Sequence, residues 1–220
     1  MRLDFSILTK NIDAIASGFT VTLETWLIGA LLGILLGLMI SVLQLYCGRV
    51  VTRVLRMYIE IIRGTPFLIQ LFLLYYGGPS IGIELDPITA GILGLGVYGS
   101  AYFAEIFRAG FRSIPKGQLE AATCLGLTRG QMIYRIKLPQ MLVIIVPSLI
   151  NTIIVLTKET AVLSVITVPE LTGVLTGIGT SSFAFLEILL ALCIGYLALV
   201  ELTTYFGRWL EVRVGRFMLR

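Results

Sequence analysis

The residues able to do chemistry in this chain are charged and amide side chains set within apolar runs. Glu60, Arg63, Thr65 and Gln70 interrupt one run, and Asn151, Lys158, Glu159 and Thr160 close another. A charge in hydrocarbon costs at least ~2.5–3.5 kcal/mol, so each charged residue is a functional candidate. Steps of three and seven put Glu60, Arg63 and Gln70 on one helical face. Steps of seven and eight do the same for Asn151, Lys158 and Glu159. Acid, guanidinium, ammonium and amide groups offer reversible binding of a polar solute. Histidine is absent, which removes the commonest metal ligand and proton relay. Cys47, Cys124 and Cys193 are far apart and form no CxxC pair, so neither a metal site nor a disulfide framework is expected. Plainer readings exist. Glu60 and Arg63 suit a structural ion pair, and Lys158 and Glu159 suit a helix end at the water interface.

A second constellation is the polar, basic island EAATCLGLTRGQMIYRIKLP, residues 120–139. Its fixed points are Glu120, Ala121, Ala122, Gly126, Ile136, Leu138 and Pro139. Pro115 suits a helix start and the alanines favour helix. Gly126 suits a left-handed stop. The island reads as two short helical pieces broken at Gly126, a surface for a soluble partner. The plainer reading is an amphipathic loop at the head groups.

The elements that must position these groups are membrane helices. The 220 residues are 57% hydrophobic and 14% charged, with a mean hydropathy of +0.94. That balance belongs to a polytopic membrane protein. Continuous rather than alternating apolar runs favour helices over a barrel. Five spans are expected, over about 19–46, 54–76, 88–111, 140–157 and 183–206 of a single domain, with a loop over about 112–139. Gly64 and Pro66 should kink the second. Gly29, Gly33 and Gly37 recur every four residues and permit close packing in the first. Residues 158–182 read as short broken helices at the outer face, packed against the bundle. Asp4 and Asp13 interrupt the N-terminus, so no signal peptide is expected.

Basic residues orient the bundle. Arg49, Arg53 and Arg56 follow the first span, and Arg108, Arg112, Lys116, Arg129, Arg135 and Lys137 follow the third. Arg208, Arg213, Arg216 and Arg220 follow the fifth, while only Arg2, Lys10 and Lys158 fall opposite. The N-terminus is expected outside, with the island and the C-terminus in the cytoplasm. This collar accounts for the net charge of +4 without nucleic acid.

The spacing Glu-Ala-Ala, three residues, Gly, nine residues, Ile, one residue, Leu-Pro resembles the EAA loop of permease subunits of bacterial ATP-binding cassette importers. The runs EIIRGTPFLIQLFLLYYG (60–77) and LTKETAVLSVI (156–166) resemble the polar-amino-acid branch of those permeases. The resemblance covers nearly the whole chain. It implies an all-α membrane protein with the type I importer permease fold, five transmembrane helices and a cytoplasmic coupling helix. It also implies a bacterial plasma-membrane location, nucleotide-binding ATPase subunits, a second permease copy or paralogue, and an extracytoplasmic amino-acid-binding protein. No GxxxxGK[ST] loop is present, so the chain is not expected to be an enzyme or to hold a cofactor. ATP and magnesium would belong to the partner.

An amino-acid substrate needs a donor for its carboxylate and an acceptor for its ammonium. Lys158, Thr160 and backbone amides suit the first role, and Glu159 or Asp86 the second. Glu84 and Asp86, in an outer loop without a basic neighbour, favour a cationic amino acid. Read more plainly they are solvated loop acids, and glutamine or another polar amino acid stays open. Two other classes stay open as well. An ion-coupled secondary transporter would use the intramembrane carboxylates for sodium or protons. A non-transporting assembly subunit would have no cavity near Arg63, Asn151 and Glu159.

Overall fold

The computed structural model describes residues 5–215; Arg2, Asp4, Arg216 and Arg220 lie outside the described residues. Ten α-helices follow in order among them: α1 Ser6–Lys10, α2 Ile12–Tyr46, α3 Arg49–Gly64, α4 Phe67–Tyr75, α5 Pro87–Arg112, α6 Lys116–Cys124, α7 Arg129–Met132, α8 Leu138–Glu159, α9 Leu171–Ser182 and α10 Phe185–Gly215. Four continuous helices are long and apolar enough to span a bilayer, and the bent pair α3–α4 makes a fifth.

The axis of the bundle is the α2–α5 pair. Gly29 faces Leu95, Gly33 faces the Gly96 carbonyl and the Phe103 ring, and Gly37 faces Phe103, Ala104 and Ser100. A Cβ on Gly37 would stand 2.6 Å from the Cβ of Phe103, so the stripe is a packing requirement. Phe103, Leu95, Leu71, Met141, Leu156 and Leu163 form the buried centre around this pair.

The expected kink in the second span is a sharp elbow. Helices α3 and α4 meet at 106°. Thr65 is held extended (φ −117°, ψ 145°) by the proline that follows it. Gln70 reaches back across the break, and its Nε2 donates to the carbonyls of Ile62 (2.7 Å) and Thr65 (3.0 Å) and to Thr65 Oγ1 (2.9 Å). This corrects the reading of Glu60, Arg63 and Gln70 as one continuous face. The first two share a face of α3, whereas Gln70 caps the carbonyls that Pro66 leaves without partners. Arg49, Arg53 and Arg56, expected in the loop that follows the first span, are instead helical and open α3.

The first and fifth spans also exceed their expected limits, beginning at Ile12 and ending at Gly215. Residues 158–182 are short helices as expected: a 3₁₀ stretch, Thr160–Ile166, followed by α9. They sit at the end of the bundle opposite α6, where Gly18 of α2 meets Val174 of α9. Glu170 ties α9 down. Its buried carboxylate accepts from the backbone N–H groups of Thr172 (2.8 Å) and Gly173 (2.7 Å) and from the Tyr196 hydroxyl (3.0 Å). The Leu171 N–H donates to Thr22 Oγ1 on α2 at 3.0 Å. Burial holds the Glu170 carboxyl above its ordinary value despite these donors.

Candidate functional site

Two neighbouring cavities open on the face shared by α3, α5 and α8, and both are lined by Arg63, Tyr102 and Glu105. The first, of about 390 Å³, adds Pro147, Ser148, Asn151 and Thr152. The second, of about 580 Å³, adds Arg56, Glu60, Gly64 and Arg108. Together they form a polar groove. Tyr58 fixes the α3–α5 crossing, its hydroxyl bonding the Val97 carbonyl (3.2 Å) and Ser100 Oγ (2.7 Å).

Charge in the groove divides into paired and unpaired groups. Arg108 pairs with Glu105 one helical turn away, with Nε donating to Oε1 at 2.9 Å. Glu60 and Arg63 do not pair with each other among the described residues, which overturns the structural ion pair as their role. Arg63 instead lies 5.2 Å from the centre of the Tyr102 ring. Both Glu60 and Arg63 are exposed to the groove. A guanidinium on an aromatic face with free donors suits a carboxylate, and Glu60 beside it suits an ammonium. Tyr102 leads upward to Tyr98, with hydroxyls 3.2 Å apart and ring centres 5.0 Å apart.

Not every candidate residue reaches this groove. Glu60, Arg63 and Asn151 converge on it. Lys158 and Glu159 lie further along α8, with seven to eight residues giving about 11–12 Å of helix, and Glu159 comes within electrostatic reach of Tyr98. Thr160 is fully buried and donates to the Thr157 carbonyl at 2.7 Å, so its hydroxyl closes the helix end, and it lines neither cavity of the groove. Thr65 donates to the Ile61 carbonyl at 2.9 Å and receives Gln70, so both belong to the elbow. Asp86 caps α5, accepting the Thr89 N–H at 3.0 Å. The hydrogen bonds from Thr89 hold its carboxyl below the ordinary range. Sixteen residues, about 24 Å of helix, separate it from Tyr102, so the structure separates it from the groove.

Sequence reasoning missed Tyr102, Glu105, Arg108 and Ser148 as groove residues. Their signal was a helical stripe: Tyr98, Tyr102, Glu105 and Arg108 recur at steps of four, three and three in an otherwise small, apolar helix.

The basic island forms the opposite working surface. Helix α6 ends at Gly126, whose φ of +76° is left-handed. The Gly126 N–H bonds the Thr123 carbonyl and the Leu127 N–H bonds that of Ala122, both at 3.0 Å, a Schellman closure. Thr128 and Gln131 then cap the next helix reciprocally. The second piece is not short, which corrects the sequence reading. From Arg129 the helix runs on through α8 to Ile166. A π-turn at Ile133–Lys137 lets it do so, with the Leu138 N–H bonding the Ile133 carbonyl. Pro139 has no N–H and crowds the carbonyl four residues back, and the backbone relieves this by widening.

Ala122 is buried, while Glu120, Ala121 and Gly126 are exposed. Ile136 and Leu138 are half-buried on the continuing helix, and Pro139 is exposed. Gln140 Nε2 donates to Gln118 Oε1 at 2.8 Å and straps α6 to α8. Leu125 and Tyr134, which sequence reasoning also missed, are 80% and 76% exposed. They give this surface large apolar contacts.

Comparison with known proteins agrees with this plan. The chain is 34% identical over 212 residues to the arginine transport system permease protein ArtQ of Bacillus subtilis (strain 168), covering 96% of this chain and 97% of that one. It is 33% identical over 216 residues to the glutamine transport system permease protein GlnP of Escherichia coli (strain K12), covering 97% and 99%. A crystal structure of an amino acid ABC transporter with histidines superposes with a TM-score of 0.90 at 33% identity, over 97% of this chain and 100% of that one. The inward-facing MetNI methionine ABC transporter shares the fold, with a TM-score of 0.77 at 22% identity over 93% and 98%. The fold is that of type I importer permeases, and the chain is a transport component rather than an enzyme. With residues 29–216 matching that family's model, the chain belongs to the binding-protein-dependent transport system inner membrane components.

Proposed function

We propose that this chain forms the translocation pathway of an ATP-driven importer of polar amino acids, with its N-terminus outside and its C-terminus in the cytoplasm. The observation that carries this reading is the groove in which unpaired Arg63, Glu60 and Asn151 converge at membrane depth. Arg63 would hold the substrate carboxylate and Glu60 the ammonium, with Asn151 supplying an amide. The acids Glu84 and Asp86 at the far end of α5 favour a basic side chain, and a relative that transports arginine supports that preference.

A second copy of the chain, or a paralogue, would close the open face of the groove. An extracytoplasmic binding protein would deliver substrate at the α9 end. Separate ATPase subunits, holding ATP and magnesium, would dock on α6, Leu125 and Tyr134. Vectorial transport then requires only that the groove bind substrate differently in its two conformations.

Reconstitution with the ATPase and binding protein tests the proposal. Labelled arginine should accumulate only with internal ATP, ahead of glutamine and unaffected by collapse of ion gradients. Uptake driven by an ion gradient without the ATPase would overturn it. Gly126→Asp, at a left-handed position with open space around it, should abolish substrate-stimulated ATP hydrolysis while the protein still reaches the membrane. Normal coupling in this variant would remove the docking role from the loop.

A further inference from the structure

Helix α8 carries two grooves on opposite sides. Pro147, Ser148, Asn151 and Thr152 face the polar one, while Ile150 and Ile153 face a second cavity between α2, α8 and α10. This second cavity, of about 380 Å³, is almost wholly apolar and is lined by Leu23, Trp26, Ile150, Leu202, Phe206 and Leu210 among others. Its lining on α10 recurs at Leu199, Leu202, Phe206 and Leu210, and the next turn of that face carries Arg213. The Arg213 guanidinium is exposed and lies 5.0 Å from the centre of the Trp209 ring. Among the described residues no carboxylate pairs with it.

We infer that this groove is a binding site for one anionic phospholipid of the leaflet in which α10 ends, with an acyl chain along the groove and the phosphate on Arg213. Three observations converge. The groove lies in the spanning part of the bundle, on the side of α8 away from the polar groove, and so faces lipid. Leu202 and Arg213 are eleven residues apart, about 16 Å of helix, which matches the ~15 Å hydrocarbon depth of one leaflet. The cation at the mouth stands on a tryptophan, a residue suited to head-group depth, and has donors left for a phosphate. The inference rests on the proposed seating of a second copy over the polar groove, and holds whatever solute is carried.

Native mass spectrometry of the detergent-solubilised full chain tests it, with dioleoyl phosphatidylglycerol and dioleoyl phosphatidylcholine as probes. One phosphatidylglycerol should be retained per chain in preference to phosphatidylcholine. Arg213→Gln should reduce that preference about fivefold, the equivalent of about 1 kcal/mol per basic residue at a charged surface. Leu202→Trp, which fills the groove, should reduce retention of both lipids. Equal retention of the two lipids by the wild type would overturn the proposal, as would wild-type behaviour of either variant. Leu202→Cys, in a chain with Cys47, Cys124 and Cys193 changed to serine, should form no disulfide between copies in a bilayer. An efficient one would give the groove to a second copy and refute the lipid site.

Discussion

The groove around Arg63 and the buried knot around Glu170 are made of the same kinds of group with opposite hydrogen-bond accounting. In the knot, a carboxylate with no solvent exposure receives two backbone N–H groups and a hydroxyl, and Tyr196 also bonds Thr172 Oγ1 at 2.9 Å. In the groove, Glu60, Arg63 and Asn151 are exposed, and Glu60 and Arg63 do not pair. A polar group set within this bundle is therefore not functional by its chemistry alone. Its unused donors and acceptors make it so, because those are what a ligand can take up.

Substitution should separate the two regions. Glu170→Ala would leave two buried N–H groups and the Tyr196 hydroxyl without their acceptor, a loss of about 2–4 kcal/mol. The expected result is a sharp fall in the melting temperature of the solubilised chain and little folded protein in the membrane. Tyr196→Phe removes the hydroxyl's bonds to the same carboxylate and to Thr172 Oγ1 and should cost less, about 1–2 kcal/mol. A Glu170→Ala protein as stable as wild type would erase the distinction drawn here. Arg63→Gln should do the converse, lowering uptake at least about tenfold, as befits loss of a charge-assisted contact, while the melting temperature stays put. A large stability loss in Arg63→Gln would move Arg63 into the structural class.

Acidity sharpens the contrast further. Because burial raises the Glu170 carboxyl above 4.5 in the folded chain, the native state keeps a proton that the unfolded chain releases. Its contribution to stability is complete below the unfolded value and is lost as pH rises through the folded one. Asp86 has the opposite sign: held below its ordinary 3.8 by Thr89, it contributes above that value and loses the contribution as pH falls through the depressed one. Melting temperature against pH should flatten on the alkaline side of 4.5 in Glu170→Gln and on the acid side of 3.8 in Asp86→Asn. The second change is the smaller, since Asp86 is exposed. Unaltered profiles would remove both assignments.

What was legible in the sequence follows from which interactions are local. Apolar run length revealed the spans. The four-residue glycine period marked a close-packing face on α2 but not its partner α5, and Gly126 revealed the left-handed stop. Gly64 and Pro66 announced the elbow, but its angle depends on α4 packing beside Gly94 and Ala90 of α5. Gln70 was misassigned because helical periodicity cannot anticipate a side chain folding back over a proline. Continuity from Arg129 into α8 was missed because Pro139 usually marks a boundary, and here a π-turn absorbs it. Glu170 had no local signal. It precedes a short helix like any capping acid, and only the packing of α2 and α10 over it makes it buried.

The unbroken course of the helix from Arg129 to Glu159 has a mechanical consequence. The stretch Arg129–Glu159 makes a rod about 46 Å long at 1.5 Å per residue. Pivoted at its foot, the Arg129 end, such a rod carries its far tip about 0.8 Å sideways for each degree of tilt. Gln118 and Gln140 clamp the neighbouring crank to that foot, so a few degrees of rocking there would arrive as several ångströms of travel at the opposite surface. The π-turn is the one wide, compliant coil near the fulcrum, and stiffening or loosening it would set how much of the throw is delivered.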